Sequence, residues 1–192
     1  MRIDGLQKMT LLDFPGKVAC TVFTGGCNFR CPFCHNALLV TELPENPDYT
    51  ADEVLDFLKK RSGLLDGVAI TGGEPLMNPD IPDFIKEIRK LGYQVKLDTN
   101  GSYPDRLESI VSDGLVEYVA MDIKNCKEKY AETIGLKEYD LSKIEKSVDL
   151  ERLLSGSSTL LTIFAKLRSG SAAQKDISCR TLLIRATSLT KA

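Results

Sequence analysis

The chain runs to 192 residues, 43% of them apolar and 27% charged, the proportions of one globular domain large enough for a substantial core. A net charge of −2 leaves no basic footprint for nucleic acid, and no apolar stretch is long enough to span a bilayer. Met1 to Lys8 is polar and charged rather than a secretory leader, so a soluble cytoplasmic protein, binding neither nucleic acid nor membrane, is expected.

In chain order, Val18 to Thr24 reads as a first strand, β-branched and mostly apolar, running into Gly25-Gly26. Directly after it comes Cys27-Asn28-Phe29-Arg30-Cys31-Pro32-Phe33-Cys34, three thiols in eight residues spaced C-x3-C-x2-C. Pro44, Asn46, Pro47 and Asp48 then mark a connection. Thr50 is a candidate N-cap for a helix from about Ala51 to Arg61, and Glu53 completes the capping-box pattern. Val54, Leu55, Phe57 and Leu58 supply its apolar face. Gly67 to Thr71 is a short buried strand followed by Gly72-Gly73-Glu74-Pro75. Pro79 to Leu91 is a second helix stopped by Gly92. Gln94 to Leu97 is a third strand, ending in Asp98-Thr99-Asn100-Gly101, and Pro104 to Val111 a third helix. Leu115 to Met121 is a fourth strand ending in Asp122-Ile123-Lys124, and Leu141 to Leu154 a fourth helix.

Strand and helix alternating in this way argue for a parallel α/β sheet with right-handed crossovers. Every chemically interesting motif falls just past the C-terminal end of a strand, where such sheets bind ligands. The expected fold is therefore α/β, a (β/α) barrel or partial barrel.

The pattern breaks late. Residues 1–155 form the expected core, whereas Gly156 to Ala192 carries one acid, Asp176, against six bases and is rich in Ser and Thr. Leu160 to Phe164 can supply a fifth strand, but no helix is legible after it. This atypical tail reads as a disordered or frame-shifted end, against the plainer alternative of an amphipathic surface segment. Poor order after about residue 165 and weak turnover are the corresponding expectations.

Three closely spaced thiolates can hold three irons of a cubane, whereas cluster sites normally take four Cys. One iron is then left open, as catalytic metal sites require. Zinc and inert buried thiols are the competing readings. Zinc usually takes two ligand pairs, yet no second C-x2-C follows, and the one histidine, His35, adjoins Cys34. Disulfides do not suit the expected reducing compartment. Cys20, Cys126 and Cys179 read as isolated free thiols.

Four segments together resemble the radical S-adenosylmethionine (radical SAM) activases of glycyl-radical enzymes, and within them the activating proteins of anaerobic ribonucleoside-triphosphate reductase. They are Thr10-Leu11-Leu12-Asp13-Phe14-Pro15-Gly16-Lys17, the cysteine loop through Cys34-His35-Asn36, Thr71-Gly72-Gly73-Glu74-Pro75, and Asp98-Thr99-Asn100-Gly101. The first and the Cys-His-Asn ending are the most group-specific. Residues after about 155 do not match.

The resemblance implies a 4Fe–4S cluster on Cys27, Cys31 and Cys34, with S-adenosylmethionine completing the fourth iron. It implies reductive cleavage of that cofactor to a 5′-deoxyadenosyl radical, which makes a glycyl radical on the partner reductase, with flavodoxin or ferredoxin as electron donor. Phe33 would lie beside the adenine, a core aromatic being its alternative. Gly72, Gly73 and Glu74 would meet the methionine ammonium, and Asp98, Thr99 and Asn100 would face the same rim. Asp98, Thr99 and Asp122 match a monovalent-cation site, and Lys124 a lysine that pairs with the cofactor carboxylate. An Asx turn and a surface ion pair are the plainer readings of those segments. The rival functions are activation of another glycyl-radical enzyme such as pyruvate formate-lyase, a non-catalytic iron–sulfur electron carrier, and an inactive truncated remnant.

Overall fold

A computed structural model of the chain describes residues 1–153 and 160–165. Five strands run parallel in the order in which they occur: β2 (Ala19–Thr24), β3 (Gly67–Gly72), β4 (Gln94–Thr99), β5 (Tyr118–Ile123) and β6 (Leu160–Ala165). Each pairs with the next without a reversal of order. A doubly wound sheet reverses its order at a switch point, so this succession is that of a barrel wall, here a partial one. The tail expectations for 166–192 lie outside the described residues; the fifth expected strand is present as β6.

The sequence reading missed β1 (Ile3–Thr10), which pairs antiparallel with β2 on the outer edge. Register shifts between Ile3 and Gly5 and between Gln7 and Thr10 destroy the alternation by which a strand is recognised. The four-residue helix α1 (Leu38–Thr41) was also unread.

The helices follow the expected pattern. In α2 (Ala51–Lys59) the Thr50 hydroxyl accepts from Glu53 N while the Glu53 carboxylate accepts from Thr50 N, a complete capping box. Val54 and Leu58 are its buried face. Ile81, Phe84, Ile85 and Ile88 of α3 (Ile81–Lys90) and Leu107, Ile110 and Val111 of α4 (Pro104–Ser112) do the same. A short α5 (Tyr130–Thr133) and α6 (Ser142–Leu153) follow β5. Cys20 and Val22, Val68 and Ile70, Val95 and Leu97, and Val119 and Met121 belong to the same core as these helix faces. Leu115 belongs to the turn after α4, its N–H bonded to Ile110 O, so β5 starts later than its apolar run suggested.

The other face of the sheet is more polar and is filled in layers. At its N-terminal end lies the Thr10–Lys17 segment. Phe14 is 3% exposed, makes an edge contact with Tyr118 at 6.4 Å between ring centroids, and packs against Gly67. Asp13 accepts the Thr21 hydroxyl at 2.6 Å. Above this plug Lys96 lies over the Tyr118 ring and pairs with Asp98, and higher still Lys124 Nζ meets Asp122 Oδ2 at 2.7 Å.

Candidate cofactor site at the strand rim

The loops at the C-terminal ends of β2, β3, β4 and β5 line one cavity of about 540 Å³, within the usual size range for ligand sites. Cys27, Cys31, Cys34, Phe33, Gly72, Gly73, Asp98, Thr99, Asn100, Asp122 and Lys124 all contribute to its wall. These are the residues singled out in the sequence, with one exception.

Glu74 is that exception. It is fully buried beneath the rim and does not line the cavity. Its Oε1 accepts from Leu76 N at 3.1 Å and from the Thr99 hydroxyl at 2.8 Å, and its Oε2 from Asn100 N at 2.7 Å. The carboxylate thus ties the β3 loop to the β4 loop. Burial pushes its pKa up to about 7 against the pull of these donors.

Gly73 lines the cavity, and the packing around it gives a local reason for glycine. A Cβ at this position would collide with the Gly26 carbonyl, so glycine is needed where the β3 loop crosses the backbone just before Cys27. Glu74 N donates to Gly26 O at 2.8 Å and Gly73 N to Thr24 O at 2.8 Å. Asn36 Nδ2 donates to Gly72 O at 3.1 Å, so the Cys-His-Asn ending is fastened to the same loop.

The three thiols are half-buried on the cavity wall, and His35 is exposed. Burial pushes the Cys27 thiol up to about 11 and raises Cys31, where nearby Lys124 pulls the other way. Among the described residues no three His, Cys, Asp or Glu gather closely enough for a single metal ion. A cubane asks for a different arrangement, with thiolates on different irons around a shared space, and three cysteines facing one cavity fit that requirement. Cys20 and Cys126 are buried and do not line the cavity; Cys179 lies outside the described residues.

Phe33 is half-exposed on the cavity wall rather than a core aromatic. The core aromatic of the loop is Phe29, 2% exposed, with edge contacts to Tyr130 and Tyr139. Asp98 and Asp122 come from neighbouring strands, each with a lysine partner, Lys96 and Lys124. The Thr99 hydroxyl is not with them, since it donates to Glu74. Sequence reasoning missed Lys96, Asn28 and Ser102. Lys96 sits inside a buried strand, and the other two act through contacts between loops about 70 residues apart.

A family profile for the radical SAM superfamily matches residues 21–164. The chain belongs to that superfamily. A 4Fe–4S cluster and S-adenosylmethionine are the cofactors that membership implies. A candidate glycyl-radical enzyme activating enzyme of Methanocaldococcus jannaschii is 32% identical over 155 residues, 77% of this chain and 62% of that protein. The pyruvate formate-lyase-activating enzyme of Clostridium pasteurianum is 32% identical over 129 residues, 65% of this chain and 52% of that one. The chain therefore spans about half to three-fifths of the length of these relatives. Among solved structures, anSMEcpe with bound AdoMet superposes with a TM-score of 0.54 at 18% identity, over 72% of this chain and 40% of that one. Streptococcus suis SuiB gives 0.54 at 16%, over 73% and 31%. These likenesses establish the fold. Among the described residues no helix is long and apolar enough to cross a membrane.

Proposed function

We propose that this chain is a radical SAM activase that generates a glycyl radical on anaerobic ribonucleoside-triphosphate reductase. The observation that carries the reading is the convergence of three thiols and the β3, β4 and β5 rim loops on one cavity. Kinship to glycyl-radical activating enzymes supports the reaction class. The Thr10–Lys17 and Cys34-His35-Asn36 segments support the choice of partner.

When bound, a reduced 4Fe–4S cluster and S-adenosylmethionine supply a 5′-deoxyadenosyl radical that takes hydrogen from a glycine Cα. This chain's residues hold and orient the reactants. Cys27, Cys31 and Cys34, which line one cavity, would hold the cluster and leave room beside it for the cofactor. The Gly72-Gly73 loop would present backbone polar groups to the ammonium, and Glu74 fixes that loop from below. Phe33 would lie beside the adenine, and Lys124 would pair with the carboxylate. Asp98 and Asp122 would offer carboxylates to a monovalent cation, whereas the Thr99 hydroxyl is bonded to Glu74. A low-potential donor such as flavodoxin or ferredoxin supplies the electron, because this chemistry needs the negative end of the cluster range.

The 32% identity to a pyruvate formate-lyase-activating enzyme favours a second reading, that pyruvate formate-lyase is the partner. Anaerobically reconstituted protein, reduced and given S-adenosylmethionine, should release 5′-deoxyadenosine and methionine. Incubated with each candidate partner, it should raise a glycyl-radical EPR signal on the reductase. A signal on pyruvate formate-lyase alone would move the assignment to that enzyme. A cluster that never cleaves the cofactor would leave the electron-carrier and remnant readings.

A further inference from the structure

Three polar side chains at the rim form a closed ring. Asn100 Nδ2 donates to Asn28 Oδ1 at 3.0 Å, Asn28 Nδ2 donates to Ser102 Oγ at 2.9 Å, and Ser102 Oγ donates to Asn100 Oδ1 at 2.6 Å. Ser102 N also donates to Asn100 Oδ1, at 2.9 Å. The amide of Asn100 is therefore held one way round, oxygen toward Ser102 and nitrogen toward the cysteine loop. Its second N–H points at Cys27 Sγ, 3.7 Å away. Phe29 N lies 3.4 Å from the same sulfur. Asn100 and Ser102 are buried, 6% and 4% exposed, so water does not readily replace them. The backbone beneath is fixed as well, through Asn100 N to Glu74 and the Ser147 hydroxyl to Gly101 O at 2.7 Å.

We propose that Asn100 is a positioning residue that sets the reduction potential of the cluster by holding a side-chain N–H against the Cys27 thiolate. This rests on the cluster reading above. Hydrogen bonds to cluster sulfurs are among the determinants of potential, as outer partners are for metal ligands in general. The direction follows from charge. Reduction by one electron from the low-potential donor makes the cluster more negative without forming or breaking a bond. A hydrogen bond to an ionised acceptor is stronger than one to a neutral acceptor, so the donated N–H favours the reduced state. The tilt toward reduction is thus built by a β4 loop more than 70 residues along the chain from the ligand it acts on.

The test is an EPR-monitored redox titration of the reconstituted full chain, without S-adenosylmethionine so that cofactor binding plays no part. Asn100→Leu keeps the volume and removes the donor. Ser102→Ala opens the ring at its serine, loosening the Asn100 amide at the loss of one hydrogen bond from Asn28 while leaving the Asn100 side chain in place, and stands in where Asn100→Leu fails to fold. At the wild-type midpoint, the ratio of reduced to oxidised cluster should fall roughly fivefold in Asn100→Leu, in line with the loss of one hydrogen bond, and about twofold in Ser102→Ala. Iron per chain should be unchanged in both. Full iron content with wild-type potentials would overturn the proposal and leave the proposed function standing. A wild-type protein that assembles no cluster would overturn both.

Discussion

Where the strands begin, Gly92 and Gly114 sit in the turns before β4 and β5 with φ of 90° and 62°, and a Cβ at either would meet no atom within 4 Å. Where the strands end, Gly73 lies outside the positive-φ region, yet a Cβ there would run into the Gly26 carbonyl. The first pair are glycine for backbone conformation, the last because another loop passes against it. Turns at the lower end are local and tolerate a neighbouring atom. Loops at the rim are interlocked across β2, β3 and β4, so a change in one displaces the thiols carried by another.

The largest effect should come from the rim ligands. Cys27→Ala, Cys31→Ala and Cys34→Ala should each abolish a cluster of about four irons per chain, read as iron, sulfide and visible absorbance after anaerobic reconstitution. Cys20→Ala and Cys126→Ala should leave it intact, since both side chains are buried and neither lines the cavity. Stoichiometric zinc in anaerobically purified protein, with no iron-dependent absorbance, would remove the cluster from the account altogether.

Gly73→Val should come next. Because the branched side chain must push the backbone before Cys27 aside, iron content should drop along with affinity for S-adenosylmethionine. Retention of full iron with loss of cofactor binding alone would return Gly73 to the simpler role of letting the ligand approach.

Glu74 gives a pH dependence of definite sign. Its folded pKa of about 7 lies above that of an unfolded carboxyl, so between roughly pH 4.5 and 7 the native chain binds more protons. The contribution is fully present at the acid end, declines as pH rises through that window, and levels off above it. Urea unfolding of the cluster-free protein should show the decline, and Glu74→Gln should flatten it whatever its effect on overall stability.

The smallest effect belongs to the lower end. Gly92→Ala forces a Cβ into the left-handed region at a cost of about 1 kcal/mol, measurable by denaturant unfolding, with iron content unchanged. Loss of iron in this variant would show that the two ends are mechanically coupled.

Against this contrast, what the sequence disclosed is unsurprising. The parallel strands were legible because Val68–Ile70 and Val119–Met121 are apolar runs bounded by glycine and acidic rim motifs. The thiol loop was legible from its spacing, and α2 from Thr50 and Glu53. The strand Ile3–Thr10 escaped because its bulges break the period, with Gln7, Lys8 and Met9 all exposed. Glu74 was read as meeting the cofactor because its motif follows a strand, but sequence cannot show that it turns inward to Thr99 and Asn100. The Asn28–Asn100–Ser102 ring was invisible for the same reason, since spacing along the chain carries no trace of a contact between loops.

The segment packed beneath the inner face has a kinetic meaning. With Phe14 and Asp13 filling the lower end, the described cavity behaves as a vessel with its mouth at the rim. Under the proposed function, a small cofactor and a large protein substrate must share that mouth. A partner seated over the rim would make the cofactor enter before it and the fragments leave after it. A compulsory order would then show itself in the cycle: rising concentrations of the partner should slow 5′-deoxyadenosine release even as they speed radical formation.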